Sequence, residues 1–234
     1  MRLYIIRHAD PDYENNTITP TGHQEAKALA GRLVREKIDL VFSSPMGRAR
    51  DTMFYTARRL NKPFKILDWT QELGYLRVEL GMPYGNCTGW DVHGEIIRGK
   101  RLPTHTNWFQ QFPFTGVEFL KTFKKVGRDS DEFIKKFGYL REKGRYRIVR
   151  KNRKKIAVFC HGGFGLTWLS HLLEIPLPLM WAGFFLPPSS VTTILFDERT
   201  FRWAVPRCIG LGDVSHLYAA GLSVQPRGIK ANFE

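Results

Sequence analysis

Four short runs stand out in this chain, and three of them place side chains that could grip an anion and act on it. Arg7-His8 follows the apolar run Leu3-Tyr4-Ile5-Ile6, and His161-Gly162-Gly163 follows the run from Ile156 to Cys160. A third run, Leu40-Val41-Phe42, closes in Ser43-Ser44-Pro45, and Arg48 comes one turn into the segment beyond it. Short apolar runs rich in β-formers read as buried strands. In open α/β sheets, ligands bind beyond the carboxyl ends of the strands. Two imidazoles and two guanidinium groups can therefore meet in one pocket although they lie far apart in sequence. Arginine suits a phosphate because its planar fork donates two parallel hydrogen bonds. The glycines after His161 let the backbone approach a ligand, and they open a helix whose free amides favour an anion.

The elements that must hold these groups can be read from periodicity. Thr19-Pro20-Thr21-Gly22 is turn-like, and Ala26, Leu29, Ala30 and Leu33 then recur at helical spacing. A second helix is predicted over 47–60 and a third strand over 64–67. From Gly74 to Phe114 the pattern is lost in a stretch rich in Gly, Pro, Trp and Tyr. Thr115-Gly-Val-Glu118 fits a capping box. It leads a helical stripe of Leu120, Phe123, Phe133, Ile134, Phe137 and Leu140, with a bend expected near Gly127. Leu166, Leu169, Leu172 and Leu173 mark another helix. Val191 to Phe196 and Phe201 to Val205 read as a hairpin. The predicted fold is α/β: a three-layer α/β/α sandwich with a mostly parallel mixed sheet, in one domain over residues 1–234. The irregular insert, about 74–114, is expected over the site.

Composition narrows the setting. Hydrophobic residues make up 43% of the 234, too many for a disordered chain. Only a four-residue apolar run precedes Arg7, too short for a signal peptide, and the apolar region from Leu177 to Leu186 is too short to span a bilayer. Three scattered cysteines (Cys87, Cys160, Cys208), odd in number, argue for a reducing cytoplasm and against a disulfide framework. No membrane partner is expected. The net charge is +14, and Lys121 to Lys155 alone holds 15 Lys or Arg against four acidic residues, or +11. Such a run either attracts anionic partners or forms a solvated helix face followed by a basic loop, and the second is the commoner outcome.

The four runs, in their order, resemble the motifs of the histidine phosphatase superfamily, also called phosphoglycerate mutase-like. Tyr4-Ile-Ile-Arg7-His8-Ala9-Asp10 resembles its opening motif, with Ala9 in place of the usual glycine. Ile18-Thr-Pro-Thr-Gly22-His-Gln-Glu-Ala26, Phe42-Ser-Ser-Pro-Met-Gly-Arg48-Ala-Arg-Asp-Thr52 and Val158-Phe-Cys-His161-Gly-Gly163 resemble the three that follow. The resemblance covers 2–60 and 115–205 well and the middle poorly. It implies that His8 is the nucleophile of a phosphoryl transfer, since a neutral imidazole is a good nucleophile and a phosphoramidate hydrolyses readily. Arg7, Arg48 and His161 would bind the phosphoryl oxygens, and no metal or other cofactor is implied. The general acid would be a carboxylate after the third strand. Glu72 is the leading candidate, with Glu79, Asp91 and Glu95 in the same stretch.

Asp10 and His216 are further candidates for the site, and Asp10-Pro-Asp12-Tyr13 for its mouth. Cys87, His93 and His105 match no metal-binding spacing. Trp90, Trp108, Phe109, Phe112 and Phe114 suit the core of a lid better than a platform for stacked bases. The expected activity is metal-independent hydrolysis of a small phosphorylated metabolite. The loop from Pro11 to Ile18 does not resemble that of a phosphoglycerate mutase, which is the alternative within the fold. A non-catalytic anion- or nucleic-acid-binding protein is the alternative outside it. No nucleic-acid-binding motif is present, and neither the substrate nor the oligomeric state can be read from the residues.

Overall fold

The computed structural model describes residues 1–99 and 101–229. The chain opens with β1 (Arg2–Arg7), the short ladder of β2 (Pro11–Asp12) and β3 (Thr17–Ile18), and α1 (Pro20–Arg35). Then come β4 (Leu40–Ser43), α2 (Gly47–Leu60) and β5 (Phe64–Ile66). The insert holds a small hairpin of β6 (Arg77–Glu79) and β7 (Asn86–Thr88), and α3 (Gly94–Arg98). After it follow α4 (Val117–Lys135), β8 (Tyr139–Glu142), β9 (Arg145–Ile148), β10 (Lys155–Cys160) and α5 (Gly162–Leu173). The chain continues through α6 (Leu177–Gly183), β11 (Val191–Asp197), β12 (Trp203–Asp213) and α7 (Ser215–Ala219).

Eight strands form one sheet in the order β5-β4-β10-β1-β11-β12-β9-β8. The pairings from β5 to β1 are parallel, and those from β1 to β8 are antiparallel. Only β11 and β9 run against the other strands, so the sheet is mixed and mostly parallel, as expected.

Alternation along β1 shows why both faces must be covered. Leu3 and Ile5 enter a core with Val158, Phe133, Phe164 and Leu169, under α4 and α5. Tyr4 and Ile6 enter another with Phe159, Leu29, Leu33 and Met53, under α1 and α2. Each such fully buried apolar side chain stabilises the fold by about 1.5–3 kcal/mol relative to exposure. Helices on both faces complete the three layers.

The capping box at Thr115 does not form. Helix α4 starts at Val117 behind Gly116, with no side-chain cap, and it runs unbroken past Gly127. A Cβ at Gly127 would lie 2.9 Å from the His171 ring, so this glycine admits a neighbour and does not mark a bend. Phe137 and Leu140 fall beyond the helix. The chain turns at Gly138 (φ +91°) into the β8–β9 hairpin, which lies inside the run read as a basic loop. In the insert, Trp108 and Phe114 are buried and Trp90 and Phe109 partly so, whereas Phe112 is exposed. The aromatic core of the lid is thus smaller than predicted.

Candidate active site

Register brings the three chemistry-bearing strand ends side by side. Arg7 pairs with Cys160 across β1 and β10, and Phe159 pairs with Ser43 across β10 and β4. The His8 N–H donates to the Cys160 carbonyl at 2.9 Å, and the Ser44 N–H donates to the Phe159 carbonyl at 2.8 Å. The His8 and His161 rings end 5.3 Å apart, both buried.

The His8 ring has a defined tautomer. Its Nδ1 lies 2.8 Å from the carbonyl oxygen of Ala9, which can only accept, so Nδ1 carries the hydrogen. The lone pair is therefore on Nε2. Burial, with Arg7 and Arg48 adding to it, holds this imidazole well below its usual range and neutral. The second ring is fixed by Ser44. Ser44 Oγ accepts the Met46 N–H at 3.3 Å and lies 2.8 Å from His161 Nε2. If the hydroxyl donates to Nε2, a hydrogen is left on His161 Nδ1, a buried atom with no partner among the described residues. Burial, then His8 and the two arginines, keeps His161 neutral as well.

Both arginines are 6% exposed, and each keeps a buried Nε without a partner among the described residues. Arg7 Nη1 donates to the carbonyls of Leu186 (2.6 Å) and Arg227 (3.1 Å). Arg48 Nη1 donates to Asn16 Oδ1 at 3.2 Å, and its guanidinium lies 5.4 Å from the Tyr13 ring centre. Gly47 makes this possible, because a Cβ there would sit 2.0 Å from the Asn16 carbonyl oxygen.

Glu72 reaches the same place from the loop after β5. Its Oε1 accepts the N–H groups of Leu73 (3.0 Å) and Phe164 (2.7 Å), and its Oε2 accepts that of Gly163 (3.1 Å). The acceptor at the start of α5 is thus a side chain of the protein itself. Burial raises the carboxyl above its ordinary range, against the opposing pull of these amides and Arg7. Gly163 also admits the insert, since a Cβ would lie 2.4 Å from the Trp90 ring.

Arg7, Arg48, Glu72, Gly162 and Gly163 line part of a cavity of about 550 Å³, whereas the buried His8 and His161 rings are not among its lining residues. Its outer wall includes Tyr13, Trp90, Asp91, Trp181, Phe185 and Arg227. Of the other candidate carboxylates, Asp91 reaches the wall and accepts from Thr88 Oγ1 at 2.8 Å. Glu79 and Glu95 are exposed and line no part of it. Asp10 is buried behind the wall, where it takes the Thr19 hydroxyl (2.7 Å) and Arg227 Nε (2.7 Å). His216 is not brought in: its Nε2 lies 3.1 Å from Ser189 Oγ, and its ring lines a different cleft. Cys87, His93 and His105 are dispersed, His93 against Tyr84 and His105 against Glu174. Among the described residues, no group of three or more His, Cys, Asp or Glu could hold a metal ion.

Sequence reasoning gave no role to Ser44, Asn16 or Arg227. Ser44 stands beside a motif residue and could have been found from that position. Asn16 and Arg227 carry no local signal, because they act through contacts 32 and 220 residues away.

Comparison with known proteins agrees with this fold. A curated Hydrogenobacter thermophilus protein with the provisional name phosphoserine phosphatase 2 is 28% identical over 192 residues, covering 77% of this chain and 82% of the relative. Among solved structures, a mutant phosphoserine phosphatase from Entamoeba histolytica in complex with phosphoserine superposes with a TM-score of 0.61. It is 20% identical and covers 92% of this chain and 98% of its own. A mycobacterial glucosyl-3-phosphoglycerate phosphatase gives 0.59 at 16% identity, with 90% and 98% covered. At these identities the structural likeness speaks to the fold. The family model of the histidine phosphatase superfamily (branch 1) matches residues 3–208, and the chain belongs to that superfamily.

Proposed function

We propose that this protein hydrolyses a phosphomonoester of a small metabolite, without metal, through a phosphohistidine on His8. The observation that carries the reading is the His8 ring itself: neutral, with its Nε2 lone pair free, and flanked by two buried arginines. Nε2 attacks phosphorus in line as the bond to the leaving oxygen breaks. Arg7, Arg48 and His161 hold the equatorial oxygens, each such donor lowering the barrier by about 3 kcal/mol. The Glu72 carboxyl gives its proton to the leaving oxygen, releasing the alcohol. The Glu72 carboxylate then takes a proton from water as the water attacks phosphorus and the P–N bond breaks. Free phosphate departs and His8 regains its lone pair.

The cavity volume and its aromatic and cationic wall support a small anionic substrate. No helix among the described residues is long and apolar enough to cross a membrane. Three cysteines outside any disulfide support a reducing compartment, which we take to be the cytoplasm.

The test is hydrolysis of p-nitrophenyl phosphate in excess chelator, together with trapping of an acid-labile phosphoenzyme. His8→Ala should lose at least about a thousandfold in kcat and all of the trapped label. Activity that survives His8→Ala, or that disappears with chelator, would refute the reading.

A further inference from the structure

A second concavity of about 530 Å³ lies on the far side of α1, bounded by α1, the end of α2 and α7. Small side chains open it: Ala28 and Gly31 on α1, Ala219 and Ala220 at α7. Its charged lining is Lys27, Arg32, Arg35 and Arg59 against Glu36 and Asp213. The two acids are engaged. Asp213 binds Arg32 at 2.8 Å, and Glu36 accepts the Tyr4 hydroxyl at 3.0 Å. Lys27, Arg35 and Arg59 have no carboxylate within ion-pair distance among the described residues. Arg59 is drawn over the floor, where a Cβ at Gly31 would lie 3.4 Å from its Nη1.

His216 supplies an independent observation. It is 5% exposed and forms part of the cleft wall, yet its Nδ1 has no partner among the described residues. A buried nitrogen left unpaired is costly unless something binds it. Three unmatched cations around such a group form a site for several negative charges close together. The volume suits a small ligand.

We propose that this cleft is a second anion site, separate from the His8 pocket, which takes the oligophosphate group of a small ligand. Its wall is also joined to the first site. His216 Nε2 meets Ser189 Oγ at 3.1 Å, and the Ser189 N–H donates to the His8 carbonyl at 3.0 Å. Occupancy of the cleft can therefore be felt at the residue we propose as the nucleophile.

Calorimetric titration of intact His8→Ala protein with inorganic tripolyphosphate tests this, since that variant keeps both pockets and leaves the probe uncleaved. Two binding events are expected. Adding Arg35→Glu and Arg59→Glu should abolish one of them, or weaken it at least about tenfold, and spare the other. The same two changes with His8 intact should leave p-nitrophenyl phosphate turnover without tripolyphosphate within about twofold, as neither Arg35 nor Arg59 lines the first cavity. A titration in which no binding event responds to the two charge reversals would overturn the proposal. The binding measurement needs no turnover, so it stands or falls separately from the phosphatase reading.

Discussion

Arg7 and Arg48 in the pocket carry the same charge as the 15 Lys and Arg between 121 and 155, in opposite surroundings. The pocket pair is buried, and each member keeps an uncommitted donor inside a low-dielectric cavity. On α4 the cations stand in water and pair within their own helix: Lys121 with Glu118, Lys125 with Asp129, Lys135 with Glu132. None of residues 121–155 lines the pocket. Pairs of that exposed kind contribute about 0–1 kcal/mol. A donor held in a water-poor site, aimed where charge develops, is worth several times more. The segment with most of the excess charge is thus the one expected to matter least to the reaction.

The sharpest way to break this contrast is to remove a pocket cation. Arg48→Ala should lower kcat/KM for p-nitrophenyl phosphate by about a thousandfold in steady-state assays. Glu72→Gln comes next, at about a hundredfold in kcat with a changed pH profile. Because the Glu72 carboxyl is raised, it keeps its proton to higher pH than an ordinary carboxyl, and the rate falls as pH climbs through that raised value. The Gln variant should lose this alkaline limb. The depressed His8 places the acid limb well below pH 6.5.

Glu25 extends the comparison to stability. It is fully buried, accepts the Asp10 N–H at 2.9 Å, and is pushed up to about 7, chiefly by burial. Its folded value exceeds its unfolded one, so its contribution is complete below about pH 4.5 and is lost as pH rises towards 7. Glu25→Gln should flatten that slope and stabilise the fold by roughly 2–3 kcal/mol at pH 8 in urea melts. The smallest effect belongs to the surface. Lys124→Glu with Arg128→Glu should change kcat/KM by less than about twofold at physiological salt, where a Debye length of about 8 Å screens the segment. A tenfold loss there would erase the distinction between the two kinds of charge.

What could be read from the residues follows the same division. Buried strands that end in motif residues are local signals: Arg7, Arg48 and Glu72 line one cavity, and the His8 and His161 rings lie 5.3 Å apart. The β8–β9 hairpin was hidden because its alternation is of Arg and Lys with Tyr, Leu and Ile, which reads as a basic loop. Those charges blunt an edge of the sheet, where an uncharged strand would invite another chain to pair. The insert was opaque because aromatic packing, and not periodicity, orders it: Trp108 meets Phe109, Phe114 and Phe123 edge-on. Asn16 and Arg227 were silent because long-range contacts leave no local pattern. At Thr115 a local signal was present, but the helix begins two residues later, behind Gly116.

The contact between Trp90 and the bare backbone at Gly163 bears on how such an enzyme could be re-engineered. The loop that shapes the mouth is keyed to a position more than seventy residues downstream, on a different layer of the sandwich. Exchanging this loop between relatives would therefore succeed only as a two-part transplant, with a residue no larger than glycine kept under the indole. Chimeras that import the loop alone onto a bulkier position 163 would seat it wrongly and blur the substrate preference they were built to move.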